Sequence, residues 1–125
     1  MKSITTSNAP GAIGPYSQGM VSAKLVFTSG QIPLDPKTGA IAGDTIEAQS
    51  EQALKNLQAV LEAGGASLQT VIKTTCFLAD MGDFAAFNAV YAKYFTGDCP
   101  ARSCVAVKTL PKNVLVEVEA LAEAL

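Results

Sequence analysis

Val114-Leu115-Val116-Glu117-Val118-Glu119-Ala120-Leu121 changes character at every step. A period of two is the mark of a β-strand with two unlike faces. Val114, Val116, Val118 and Ala120 share one face; Leu115, Glu117, Glu119 and Leu121 share the other. The first face is wholly apolar and must be covered by a second layer. The other face carries two carboxylates about 7 Å apart.

Working back from this strand, Leu110-Pro111-Lys112-Asn113 reads as a turn and Ser103 to Thr109 as the strand before it. Pro100 and Thr96-Gly97-Asp98 end a helix opened by Asp80 and Asp83. Its apolar stripe is Phe84, Phe87, Val90, Tyr91, Tyr94 and Phe95. Val71 to Ala79 is rich in β-branched residues and reads as another strand. A longer helix precedes it, with Asp44 and Glu47 as a capping box and Gly64-Gly65 as the stop. Ile46, Ala53, Leu54, Leu57, Val60 and Leu61 recur on one face; Gln49, Gln52, Lys55, Asn56 and Glu62 fall on the other. Residues 18–31 hold two strands joined tightly at Ala23-Lys24, and Pro33 to Gly39 is turn chemistry.

The order is strand-strand-helix-strand-helix-strand-strand, without repeats or linkers. Residues 1–125 therefore form a single α+β domain, a mixed sheet with two helices on one face. The chain leaves the opposite sheet face uncovered.

The composition agrees. Charged residues make up 16% of 125 positions, against about 25% in an average soluble domain, and the mean hydropathy is +0.27. So small a domain should need more charge to cover itself, so part of its surface is expected to meet other copies of the chain. The net charge of −2 comes without a basic stripe, which argues against nucleic acid. Histidine is absent. That removes Ser-His-Asp and Cys-His catalysis and His-ligated metal sites. Cys76, Cys99 and Cys104 form no CxxC pair, and three scattered thiols make a poor metal cage. With no apolar leader after Met1, they point to a reduced cytoplasmic protein. Proton transfer is left to a carboxylate, Tyr, Lys, Cys or water.

Few residues could carry chemistry. Glu117 and Glu119 are either a solvated strand face or, if partly buried, carboxyls with raised pKa able to hold and release a proton. Arg102, entering the strand next to Val114 to Leu121, is either a surface ion-pair partner or a bidentate clamp for a substrate carboxylate. Cys104, two residues on, reads as a small buried hydrophobe in the absence of an activating histidine, and Cys76 and Cys99 as structural thiols. Tyr16, Ser29 and Gly30 lie in the turn-like pieces Gly14-Pro15-Tyr16-Ser17-Gln18-Gly19 and Thr28-Ser29-Gly30-Gln31, where backbone can approach a ligand closely.

These two pieces, with Ile32-Pro33, Asp35-Pro36-Lys37-Thr38-Gly39, Lys73-Thr74-Thr75, Asp83-Phe84 with Asn88, Pro100-Ala101-Arg102-Ser103-Cys104-Val105, Leu110-Pro111 and Val116-Glu117-Val118-Glu119-Ala120, resemble the Rid (YjgF) family in order over nearly the whole chain. The arginine, cysteine and glutamate pattern resembles its RidA subgroup. The resemblance implies a chorismate-mutase-like α+β fold, a homotrimer with sites between subunits, and hydrolysis of 2-iminobutanoate and 2-iminopropanoate to 2-keto acids and ammonium, with no metal or organic cofactor. It further implies that Arg102 grips the substrate carboxylate and Glu117 activates water. Backbone at Cys104 and Gly30 would position the substrate, Tyr16 and Ser29 would line the cleft, and aromatic side chains of a neighbouring subunit would wall it. Alternatives are a non-catalytic regulator binding small carboxylates, a stress chaperone and a ribonuclease. No membrane partner is expected.

Overall fold

The computed structural model describes residues 1–125. It contains strands β1 (Lys2–Ile4), β2 (Gly19–Ser22), β3 (Leu25–Thr28), β4 (Val71–Leu78), β5 (Ala101–Ala106) and β6 (Val116–Glu123), with helices α1 (Ile46–Ala63) and α2 (Phe84–Tyr94). The six strands form one mixed sheet in the order β1-β2-β3-β6-β4-β5. Only β4 and β5 run parallel, as expected for strands joined through a helix. The two helices cover one face, as the sequence predicts.

Val116, Val118, Ala120 and Ala122 turn inward from β6 and are buried, while Glu117, Glu119, Leu121 and Glu123 face the uncovered side. The alternation read from sequence holds from Val116 on; Val114 and Leu115 precede the strand, Val114 buried with Ile32, Leu34 and Leu110 and Leu115 packed against the main core. The α1 stripe meets this inner face, with Leu54, Leu57, Val60 and Leu61 fully enclosed. Each such side chain contributes about 1.5–3 kcal/mol on leaving water.

Several local expectations change. The cap of α1 is Thr45, whose hydroxyl accepts from the Ala48 N–H at 3.2 Å, so the Asp44–Glu47 box does not form. Gly65 takes the left-handed conformation that stops the helix (φ +86°). Asp80 caps a single 3₁₀ turn at Met81–Asp83 by accepting from the Gly82 N–H at 2.7 Å, and α2 follows. The N-terminal strand β1 is an addition, pairing Lys2 to Ile4 antiparallel with β2.

Gln49 and Asn56, assigned to the solvent face for their polarity, are buried. Asn56 donates to the carbonyls of Ile32 and Leu34 at 3.0 and 2.9 Å. Gln49 donates to the Gly43 carbonyl and accepts from the Leu115 N–H at 2.7 Å. Each satisfies backbone groups that would otherwise be buried unpaired. Together they tie α1 to the segment after β3 and to the start of β6, the two pieces of chain that frame the cleft described next.

Candidate active site

The uncovered sheet face opens into a cleft of about 410 Å³ between β3 and β6. A β-bulge creates it. Phe27 pairs with Leu121 at the end of β3, and the ladder resumes at Gln31 opposite Val118. Thr28, Ser29 and Gly30 thus stand against only Ala120 and Glu119. One extra residue bends the strand and breaks the ladder, a common device beside functional sites. The Thr28 hydroxyl repairs part of it by accepting from the Ala120 N–H at 3.0 Å. The Ser29 N–H donates to the Gln18 carbonyl, and the Ser29 hydroxyl to the Ser17 carbonyl at 2.6 Å. Ser29 therefore lines the cleft with its own hydroxyl already engaged, while the Gly30 N–H has no partner in the chain.

Glu117 and Glu119 lie in this cleft with Tyr16, Ser29 and Gly30, and Ile13, Ile32 and Pro111 supply its apolar wall. The half-buried Glu117 carboxyl rests directly on Gly30: a Cβ there would lie 2.8 Å from Glu117 Cδ and closer still to an oxygen. Gly30 is thus a seat for the carboxylate. Burial first, and the neighbouring Glu119 second, push the Glu117 carboxyl above the ordinary carboxylate range. No cation or hydrogen-bond donor of the chain meets it; the single ion pair in the molecule, Lys93 to Glu51 at 3.6 Å, lies between the helices. We expect Gly30→Ala to lower turnover at least about tenfold by displacing this carboxyl, which steady-state kinetics alongside a circular-dichroism melt will check.

Arg102 does not share this cleft. Sequence reasoning set it on a strand beside β6, but β4 intervenes, and Arg102 pairs with the fully buried Thr74. Its side chain lies on the helix side of the sheet. The guanidinium donates to Asn88 Oδ1 at 2.8 Å and sits 4.7 Å from the Tyr91 ring centre, with Phe84 and Phe87 beyond. Tyr91 in turn shares a hydrogen bond of 2.8 Å with Thr74. Cys104 lies on the same side as Arg102, half-buried against the core. Within one chain, then, Tyr16, Ser29, Gly30 and Glu117 come together, and Arg102 and Cys104 stand apart from them.

Sequence reasoning missed the seat of Arg102. Its signal is the spacing Phe84/Asn88 and Phe87/Tyr91, two i, i+4 pairs on one face of α2. Cys76 is buried and Cys104 half-buried, as expected of structural thiols, whereas Cys99 is exposed. Burial pushes Cys76 up to about 12 and also raises Cys104 against the pull of Arg102, which disfavours either as a thiolate nucleophile. No group of three or more His, Cys, Asp or Glu side chains is placed to hold a metal, and no helix is long and apolar enough to cross a membrane.

Fold and cleft together define a class: a two-layer α+β domain carrying carboxylates in a cleft on its uncovered sheet face. The family model described as endoribonuclease L-PSP matches residues 6–124, and the chain belongs to this family, the YjgF/Rid family. It is 52% identical over 124 residues to the 2-iminobutanoate/2-iminopropanoate deaminase of Salmonella typhimurium, covering 97% of this chain and 96% of that protein. It is 54% identical over 123 residues to a protein of Lactococcus lactis named for a regulator, AldR, with 98% of each covered. The crystal structure of Escherichia coli TdcF with bound serine superposes with a TM-score of 0.95 at 46% identity over the full length of both chains.

Proposed function

We propose that this protein hydrolyses 2-imino acids, 2-iminobutanoate and 2-iminopropanoate first among them, to 2-keto acids and ammonium. The observation that carries the reading is the Glu117 carboxyl: half-buried, unpaired, raised in pKa and held against Gly30 on the floor of a cleft. Such a group can take a proton and give it back.

The reaction needs only that. A protonated 2-imino acid presents an electrophilic carbon. Water attacks it while Glu117 takes one water proton, giving a neutral carbinolamine. The protonated Glu117 then donates to the nitrogen, and the C–N bond breaks as the hydroxyl oxygen forms the new carbonyl. The hydroxyl proton passes through the same carboxylate to ammonia, which leaves as ammonium. Tyr16, Ile13, Ile32 and Pro111 would hold the short side chain of the substrate, and the free Gly30 N–H would receive one of its oxygens.

The substrate carboxylate requires a cation that this cleft lacks within one chain. We assign it to Arg102 of a neighbouring copy in a homotrimer, with Cys104 backbone beside it. The uncovered sheet face supports such an assembly, since Phe27 and Val105 on it stay 43% and 48% exposed. Asn88 and the Tyr91 ring would hold the guanidinium ready to cross to the next subunit, and the aromatic residues around it would wall the cleft.

A second reading, a regulator that binds small carboxylates without turning them over, draws on the relative named AldR and on the serine in TdcF. The ribonuclease reading meets a physical obstacle: two unpaired carboxylates in the cleft repel a phosphate backbone. The deciding experiment couples a threonine dehydratase to this protein in the presence of an imine-trapping amine. Faster 2-ketobutyrate formation is expected; a rate equal to that without the protein overturns the proposal.

A further inference from the structure

Glu119 has no part in the chemistry just described, yet it occupies the same cleft. It lies two residues from Glu117 on the same face of β6, opposite Thr75 of β4, and the Thr28–Gly30 bulge opens the sheet beside it. No cation of the chain neutralises it. Lys73, two pairs further along β4, directs its ammonium to the Ser103 hydroxyl and the Thr74 carbonyl at 3.0 and 3.2 Å. The cleft therefore places a second, uncompensated carboxylate beside the reacting one, among the apolar side chains Ile13, Ile32 and Pro111.

One arginine suffices for one substrate carboxylate. A substrate with a second carboxylate on its side chain would bring it into a cleft that already holds Glu117 and Glu119. Glu117 is half-buried and Glu119 exposed; like charges about 7 Å apart on such a surface repel, and an uncompensated charge of this kind is how a site rejects a wrong ligand. We propose that Glu119 is a specificity residue that excludes 2-imino and 2-keto acids bearing anionic side chains and leaves the cleft to those with neutral ones. This rests on the deaminase reading for turnover, though the same selection applies to binding alone.

The test compares methyl- and ethyl-substituted 2-imino acids with carboxymethyl- and carboxyethyl-substituted ones, each made in situ by an amino-acid oxidase. It also measures calorimetric binding of 2-ketobutyrate and 2-ketoglutarate. The wild-type protein should favour the neutral member of each pair. Glu119→Gln should raise the anionic-to-neutral ratio about tenfold, whereas Glu119→Asp, which keeps the charge, should preserve the discrimination. Glu119→Gln should also move the acidic limb of the pH–rate profile downward, because Glu119 helps raise the Glu117 carboxyl. Equal handling of neutral and anionic compounds by the wild type, or an unchanged ratio in Glu119→Gln, overturns the proposal. Absence of turnover on every imine would defeat the deaminase reading and leave the binding comparison to decide the role of Glu119.

Discussion

Glu117→Gln is expected to cut kcat/KM for 2-iminobutanoate at least about a hundredfold, the lower range of what a positioned acid–base group contributes, while the protein still binds 2-ketobutyrate. Glutamine keeps the size and shape of the side chain, so it can still sit on Gly30, but it cannot take a proton from water. The loss should therefore appear in kcat rather than in binding of the product. In the parent, the acidic limb of the pH–rate profile should lie above the range of an ordinary carboxylate, because the active form is the ionised one and burial holds the carboxyl protonated to higher pH. The stability effect has the opposite sign. A carboxyl whose pKa is higher folded than unfolded opposes folding as pH rises from its unfolded value through its folded one. Glu117→Gln removes that cost, so its melting temperature at pH 7 should equal or exceed the parent's. A variant that unfolds would not fit this account, and one that keeps full turnover would remove Glu117 from the mechanism.

Arg102→Ala should lower kcat/KM by roughly tenfold to a thousandfold, the loss of a charge-assisted contact to a carboxylate. The decrease should lie mainly in KM, since a guanidinium gripping the substrate carboxylate would hold it in the ground state as well as the transition state. Arg102→Lys should rescue little of it. An ammonium has no planar fork for a carboxylate and cannot reproduce the contact with the Tyr91 ring while donating to Asn88 in the same way. The fold should survive both changes. Arg102 forms no ion pair in the chain, and the ring contacts of a half-exposed arginine are worth about 0.5–1 kcal/mol. Initial rates across substrate concentration, read with thermal melts, distinguish these outcomes.

The sequence made the layers legible because each is written in a local period. The alternation of Val116 to Leu121 and the stripe from Ile46 to Leu61 needed no partner to be recognised. Polarity misled where a long-range bond paid for burial: Gln49 and Asn56 look like surface residues until the backbone groups they satisfy, 66 and 22–24 residues away, are in view. β1 escaped notice because Lys2-Ser3-Ile4 is too short to show a period. The cleft was legible only in part. Glu117, Glu119 and Gly30 each stood out, but the bulge that brings them together depends on the register between β3 and β6, which no local pattern states. The order of strands is likewise a long-range property. Adjacency in sequence set Arg102 beside Glu117; β4 stands between their strands, and the register, with Arg102 level with Thr74 and Ala120 and Glu117 level with Phe77, puts them on opposite faces.

That separation makes the central claim testable in one experiment. If Arg102 of one copy completes the cleft that Glu117 of another begins, two inactive chains should repair each other. Arg102→Ala and Glu117→Gln proteins, mixed in equal amounts, unfolded and reassembled together, should regain about a quarter of the wild-type activity, the share of sites that random mixing in a cyclic trimer leaves intact. Activity that stays at the mean of the two separate variants, in mixtures shown by mass spectrometry to contain mixed trimers, would contradict a site shared between copies.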